Sequence, residues 1–280
     1  SYSFSASGVG RSFTPTIAPK KEMIAFVPGF TEEMKEHYVR NIKDTIYLDQ
    51  SYLTLLPQPF SLQQVRKIRS IFQSTVFSEE VCTIDNFKRQ TGDHAIIHLG
   101  THAEANNVSA EFSKLIFAKD RNNYLNPNFL YLTDIYGCNL NSYLTVLTAC
   151  ETGVPGYQDG EGMISMAHAF HYAGSNSILT SLSKIDEQTS NVIVGYFYEF
   201  LANGLEIDAA LQKAKLRYLE SNDGRLLQPH YWAALVIMGD TAPITIKKRY
   251  APWTILVLIS LFIVSAGVYY RFRGKKQSEI

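Results

Sequence analysis

Two residues, Cys150 and His102, carry reactive side chains at the ends of apolar runs. In VLTACETG (146–153) the apolar run stops at Cys150 and turns into an acid and a glycine; in HAIIHLGTHAEA (94–105) His102 follows the apolar run by three positions. A thiol becomes a nucleophile when a base takes its proton and a positive potential favours the thiolate. His102 can be that base. The amides of the turn Cys150-Glu151-Thr152-Gly153, together with the Ala103 N–H, can supply the potential and hold an oxyanion, with Gly153 permitting a close approach. His98, four residues before His102, raises the question of metal. That spacing aligns ligands on a helix, and this segment reads as strand, so no metal site is expected. His168 and His171 fall on a helical stretch and read as packing or surface residues.

Such a pair works only if the chain delivers both groups to one place. The apolar runs MIAFVP (23–28), HAIIHL (94–99), KLIFA (114–118), YLTVLT (143–148), SILTSL (177–182) and YWAALVIMGD (231–240) read as strands. Helices are expected at 61–73, with Ser61 as N-cap and Leu62, Val65, Ile68 and Phe72 on one face, and at 161–173, closed by Gly174. Two more are expected at 189–204 and 206–220. Residues 31–60 give no clean period. Strands apolar on both faces, alternating with helices, predict an α/β fold with a mainly parallel sheet flanked by helices. Functional residues in such sheets gather at the carboxyl ends of strands. If the strands before His102 and Cys150 are neighbours, the two loops meet at one edge.

Composition removes other classes. With 26 basic and 26 acidic residues among 280, no global field recruits nucleic acid. Three cysteines (Cys82, Cys138, Cys150) are too few and scattered for a disulfide framework or a CxxC site. Neither GxxxxGK[ST] nor HExxH occurs, and no cofactor is implied.

IIHLGTHA, VLTACETG, GEGMISMAHAFHYAGSNSILTSLSKIDEQTS and PHYWAALVIMGD resemble, in order and spacing, the signatures of the CHAT domain. This is a caspase-like cysteine peptidase module related to separase, gingipain and the caspases and often joined to tetratricopeptide repeats. The resemblance spans about residues 1–242, with SYSFSAS similar to a strand in the first half of the domain. It implies that the segment beginning at Ser1 lacks the opening part of the module. It also implies His102 as catalytic histidine, Cys150 as nucleophile and His98 as a buried supporting residue. Ala103 stands where the family often has Gly. In separase-like relatives, the segment matching SLSKIDEQT carries an acid that lines the pocket for the side chain before the cut. Here that is Asp186, implying a preference for a basic residue, while the segment's common Trp is replaced by Ser183. The alternative for Asp186 is a helix cap or an ordered loop. The implied activity is that of a cysteine endopeptidase regulated by upstream repeats; a catalytically silent scaffold is the alternative. No third member of a catalytic triad is evident.

The C-terminal end follows a different pattern. WTILVLISLFIVSAGVYY (253–270) is eighteen residues without a charge, about 27 Å as a helix against a hydrocarbon core of about 30 Å. Trp253, Tyr269 and Tyr270 sit where interfacial aromatics belong, and basic residues flank both sides. The expected organisation is a basic linker over 243–251, a single transmembrane helix over 252–270 that contacts lipid, and a basic tail over 271–280. Four basic residues follow the span and three precede it, a weak lean toward a cytoplasmic tail that leaves the side of the peptidase domain open. The combination points to a bacterial membrane protein.

Overall fold

The structure is a computed structural model that describes residues 18–42, 44–106, 109–148, 161–245 and Ser260, with the backbone alone at 161–163. The chain divides into two compact units, Ser1–Lys247 and Lys248–Ile280. The expected SYSFSAS strand lies outside the described residues, as does the expected transmembrane span apart from Ser260. Among the described residues no helix is long and apolar enough to cross a membrane.

The main sheet has six strands: β1 (Lys21–Val27), β2 (Ser74–Ser78), β3 (His94–Leu99), β4 (Ser142–Leu147), β5 (Ser175–Ser181) and β6 (Leu235–Gly239). Their order across the sheet is β2-β1-β3-β4-β5-β6. All neighbours are parallel except β5 and β6, which are antiparallel. The alternation along β1 shows how both faces are used. Met23 and Ala25 pack beneath helices α1 (Pro59–Ile71), α2 (Glu187–Ala202) and α3 (Ile207–Glu220). Ile24 and Phe26 join a second core with Phe170 of helix α4 (Glu161–Tyr172). A strand buried on both faces has little use for polar positions, which is why these runs read as continuous apolar stretches.

Three expectations need correction. KLIFA does not join the main sheet: Lys114–Ile116 is the middle strand of a separate antiparallel sheet with Ala103–Glu104 and Phe129–Tyr131. An apolar run reports burial and not the identity of its partner. YWAALVIMGD is strand only from Leu235, because Pro229–Trp232 starts as a short helix with proline in its first turn. Ser61 is not the N-cap of α1. That helix begins at Pro59, and Ser61 lies within its first turn, where its N–H is accepted at 2.9 Å by Glu187 Oε1. A side chain from the start of α2 therefore takes the capping role, and no local motif can announce that.

Gly174 does close α4, as the pattern predicts. Its φ is +111°, and a Cβ there would lie 2.0 Å from the Leu140 carbonyl oxygen. Residues 31–60, which lack a period, fold as helix α5 (Glu32–Asn41), a short 3₁₀ turn (Thr45–Tyr47) and helix α6 (Gln50–Leu53). Together they cover a small third core of Phe30, Tyr38, Tyr52 and Ile116.

Candidate active site

Strands β3 and β4 are parallel neighbours, registered from Ile96 with Leu144 to Leu99 with Leu147. Beyond the last registered pair, the Thr148 N–H donates to the Leu99 carbonyl at 3.1 Å. The loop carrying His102 and the chain leading to Cys150 thus leave the same edge of the sheet, side by side. β1 has β2 on one side and β3 on the other, so the strand order reverses there. Open α/β sheets form their crevice outside the carboxyl ends of strands at such a point. Phe30 after β1 and His102 after β3 meet there, their rings 5.1 Å apart.

His102 is 6% exposed, and both its backbone and its ring are fixed. The Ile116 N–H donates to the His102 carbonyl at 3.0 Å, and the Thr101 hydroxyl donates to the Ile116 carbonyl. The imidazole Nε2 lies 2.7 Å from the Leu56 carbonyl oxygen. A carbonyl can only accept, so Nε2 must carry the proton. In the neutral ring Nδ1 is then the acceptor, and among the described residues it has no hydrogen-bond partner. Burial lowers the pKa of His102, more than the Leu56 carbonyl and nearby Glu104 raise it, and Lys35 adds to the lowering. The ring is held neutral with its lone pair on Nδ1. That is the state a general base needs.

The group that fixes the His102 ring is therefore a backbone carbonyl. No residue type encodes it, because any residue at position 56 offers the same oxygen. Phe30 was also missed. It adopts φ +46°, a left-handed conformation costly for a bulky residue, and its ring lies against His102. Only the glycine before it in PGF hints at an unusual turn.

His98 lies on β3 one full side-chain repeat from Ile96 and is fully buried, with Nδ1 2.8 Å from the Tyr198 hydroxyl. Among the described residues its Nε2 has no hydrogen-bond partner, and it would lie 3.1 Å from a Cβ placed at Gly100. Burial pushes its pKa down to about 3, so it stays neutral beneath the loop that leads to His102.

Cys150 and Gly153 lie outside the described residues. Ala103 opens the small sheet opposite Leu115 and is fully buried. Asp186 follows β5 on the same sheet edge. It is exposed, and its Oδ2 accepts from the Thr189 N–H at 2.8 Å as the N-cap of α2. The capping role weighed for it is thus present. His171 Nδ1–H donates to the Ser175 carbonyl at 3.0 Å, and His168 is exposed; both are packing or surface residues. The other thiols are poor nucleophiles. Burial raises Cys82 well above its ordinary pKa, and it also raises Cys138, whose Sγ–H donates to the Asp134 carbonyl at 3.4 Å.

The family model for the CHAT domain matches residues 6–240. The chain belongs to the CHAT domain family. The fold of this CHAT domain is similar to that of the Arg-specific cysteine proteinase gingipain R, with a TM-score of 0.50 and 9% identity over 84% of this chain and 50% of that one. A Saccharomyces cerevisiae separase–securin complex matches with a TM-score of 0.45 and 11% identity over 85% of this chain and 13% of that chain. Among curated sequences, the mouse (Mus musculus) tetratricopeptide repeat protein 28 is 27% identical over 111 residues. Its human (Homo sapiens) counterpart is 32% identical over 80 residues. These stretches take in 40% and 29% of this chain but only 4% and 3% of the relatives, so the CHAT domain chain spans a small fraction of their length. The α/β architecture, a mainly parallel sheet flanked by helices, is the one the sequence predicts.

Proposed function

We propose that this CHAT domain is a cysteine endopeptidase in which His102 and Cys150 form the catalytic dyad. The observation that carries the reading is the pairing of β3 with β4. It supports the reading because the loop carrying His102 and the chain at Thr148, two residues before Cys150, leave the same sheet edge, and because burial lowers the His102 pKa while its buried Nδ1 has no hydrogen-bond partner among the described residues. Cys150 follows Thr148 by two residues, within about 8 Å of chain at 3.80 Å per Cα step. His102 Nδ1 accepts the thiol proton, and the sulfur attacks a peptide carbonyl. The Ala103 and Gly153 amides hold the oxyanion, the imidazolium returns its proton to the leaving amine, and water releases the acyl group. The Leu56 carbonyl orients the ring and stabilises the imidazolium.

Asp186 is proposed to face a basic side chain before the scissile bond. Its position after β5, next to β4, and its exposure support this, and the cap uses one of its two carboxylate oxygens. Upstream tetratricopeptide repeats are proposed as regulators and 252–270 as a single-pass anchor in the lipid.

A thiol-directed acyl probe tests the dyad. Labelling is expected at Cys150, not at the raised-pKa Cys82 or Cys138, and is lost in Cys150→Ala and strongly slowed in His102→Ala. Labelling at Cys138 instead, or a Cys150 rate indifferent to His102, contradicts the assignment.

A further inference from the structure

The carbonyl that orients His102 belongs to a strap, residues 48–58, that has no regular structure of its own beyond α6. The strap is held at both ends. At its far end the Gln58 N–H donates to the Gly29 carbonyl at 2.8 Å, next to Phe30. Its near end is held through Asp49. Asp49 Oδ1 accepts from the Ser51 hydroxyl at 2.6 Å and from the Tyr52 N–H at 3.2 Å, capping α6. Oδ2 pairs with Lys119 Nζ at 2.7 Å, where Lys119 is 9% exposed and Asp49 21%. The Asp49 N–H donates to the Tyr38 hydroxyl at 2.8 Å. The ammonium also lies 5.7 Å from the ring centres of both Tyr38 and Tyr52. Tyr52 packs edge-on against Phe30 at 6.0 Å, and Phe30 packs on His102.

Lys119 stands on the segment that fixes the other half of the pair. Ile116, three residues earlier, donates to the His102 carbonyl. Between them, the Phe117 N–H donates to Asn128 O at 2.7 Å and the Ala118 N–H to Cys82 O at 3.0 Å, so 116–119 is tied down along its length. One rigid segment thus sets the height of the imidazole and, through a shielded ion pair, the height of the strap that carries its acceptor.

We propose that Asp49 and Lys119 are a positioning pair, which keeps the Leu56 carbonyl in reach of His102 Nε2 and thereby fixes the tautomer that leaves Nδ1 as acceptor. The inference deepens the dyad reading and rests on it for its catalytic consequence, but the tautomer can be read without any activity. In water, free imidazole exchanges its proton between the two nitrogens. What selects one here is the Leu56 oxygen, and a strap released at Asp49 has no second ion pair among the described residues to hold it.

Long-range ¹H–¹⁵N correlation spectra of histidine-labelled protein test this in a Cys150→Ala background, with His102→Gln identifying the signals. The parent is expected to show a single Nε2–H form of His102. Asp49→Asn, which keeps the α6 cap but removes the charge, and Lys119→Met should each move the His102 signals toward a mixture of tautomers. Lys119→Arg should preserve the parent spectrum. Asp44→Asn serves as the control, since Asp44 caps the adjacent 3₁₀ turn through Ile46 without touching Lys119. In the protein with Cys150 intact, Asp49→Asn should lower kcat by roughly 10- to 100-fold with KM kept, the range expected for a misplaced group. Parent-like His102 signals in folded Asp49→Asn or Lys119→Met protein overturn the proposal. Shifted tautomers without any peptide cleavage in the Cys150 protein instead sustain the positioning pair and count against the dyad.

Discussion

Lowering the pH should destabilise this fold through His98 by an amount that can be worked out. His98 titrates at about 3 in the folded chain, against 6.5 for an unperturbed imidazole. The unfolded chain therefore binds a proton that the folded chain refuses. The contribution is whole above pH 6.5 and is lost as pH falls toward about 3. Between pH 6.5 and pH 5 it amounts to about 1.36 kcal/mol per unit over 1.5 units, or about 2 kcal/mol. The other lowered histidines, His94, His102 and His171, act in the same direction. Total acid sensitivity therefore does not isolate His98, and a comparison with His98→Leu does. The variant leaves the Tyr198 hydroxyl without its partner, a cost present at every pH, but it removes the proton-linked part. Urea denaturation of both chains in detergent at pH 7 and pH 5 gives four free energies. The parent should lose about 2 kcal/mol more than His98→Leu across that interval. Equal losses, within about 0.5 kcal/mol, would refute the buried neutral His98 and with it the supporting role assigned to it.

The remaining predictions concern the site and its frame. Asp186→Asn keeps an N-cap side chain but removes the charge, so it should relax any preference for a basic residue before the cut with little change in Tm. Asp186→Ala should in addition cost about 1 kcal/mol of stability, and an unchanged preference in both would return Asp186 to the cap alone. Gly174→Ala must place a Cβ 2.0 Å from the Leu140 oxygen at φ +111° and should cost roughly 2–4 kcal/mol by thermal unfolding, whereas an unchanged Tm would contradict the local geometry. The His102 ring in Cys150→Ala protein should titrate below 6.5 by NMR, since burial outweighs the Leu56 and Glu104 contributions; a midpoint above 6.5 would mean that the ring is charged when it should accept a proton.

Strand identity was legible for β1, β3, β4 and β5, which are buried along most of their length, and for the end of β6; the edge strand β2 (Ser74–Ser78), with none of its residues fully buried, carries no such signal and is absent from the sequence expectations. The expected neighbour relation of β3 and β4 also holds. What the sequence hides falls into two kinds. Some elements form only against tertiary partners: α5 and α6 lie in a stretch without helical period, and their order comes from Tyr38 and Tyr52 packing over Phe30. Other features use the backbone as a functional group. The Leu56 oxygen is common to every residue type, and the left-handed Phe30 contradicts what a bulky side chain prefers. Glu187 capping a helix 126 residues away belongs to the first kind. Asp186 shows a limit of motif reading as well, since its cap was weighed beside the pocket role and a single carboxylate can serve both.

The central claim is that Cys150 and His102 together cut peptide bonds. Its most direct test is mass-spectrometric mapping of a proteome-derived peptide library incubated with the intact chain, and with its Cys150→Ala and His102→Ala forms. New termini are expected with the parent chain and absent with both variants. A library left uncut by the parent, or cut equally by Cys150→Ala, would contradict the claim.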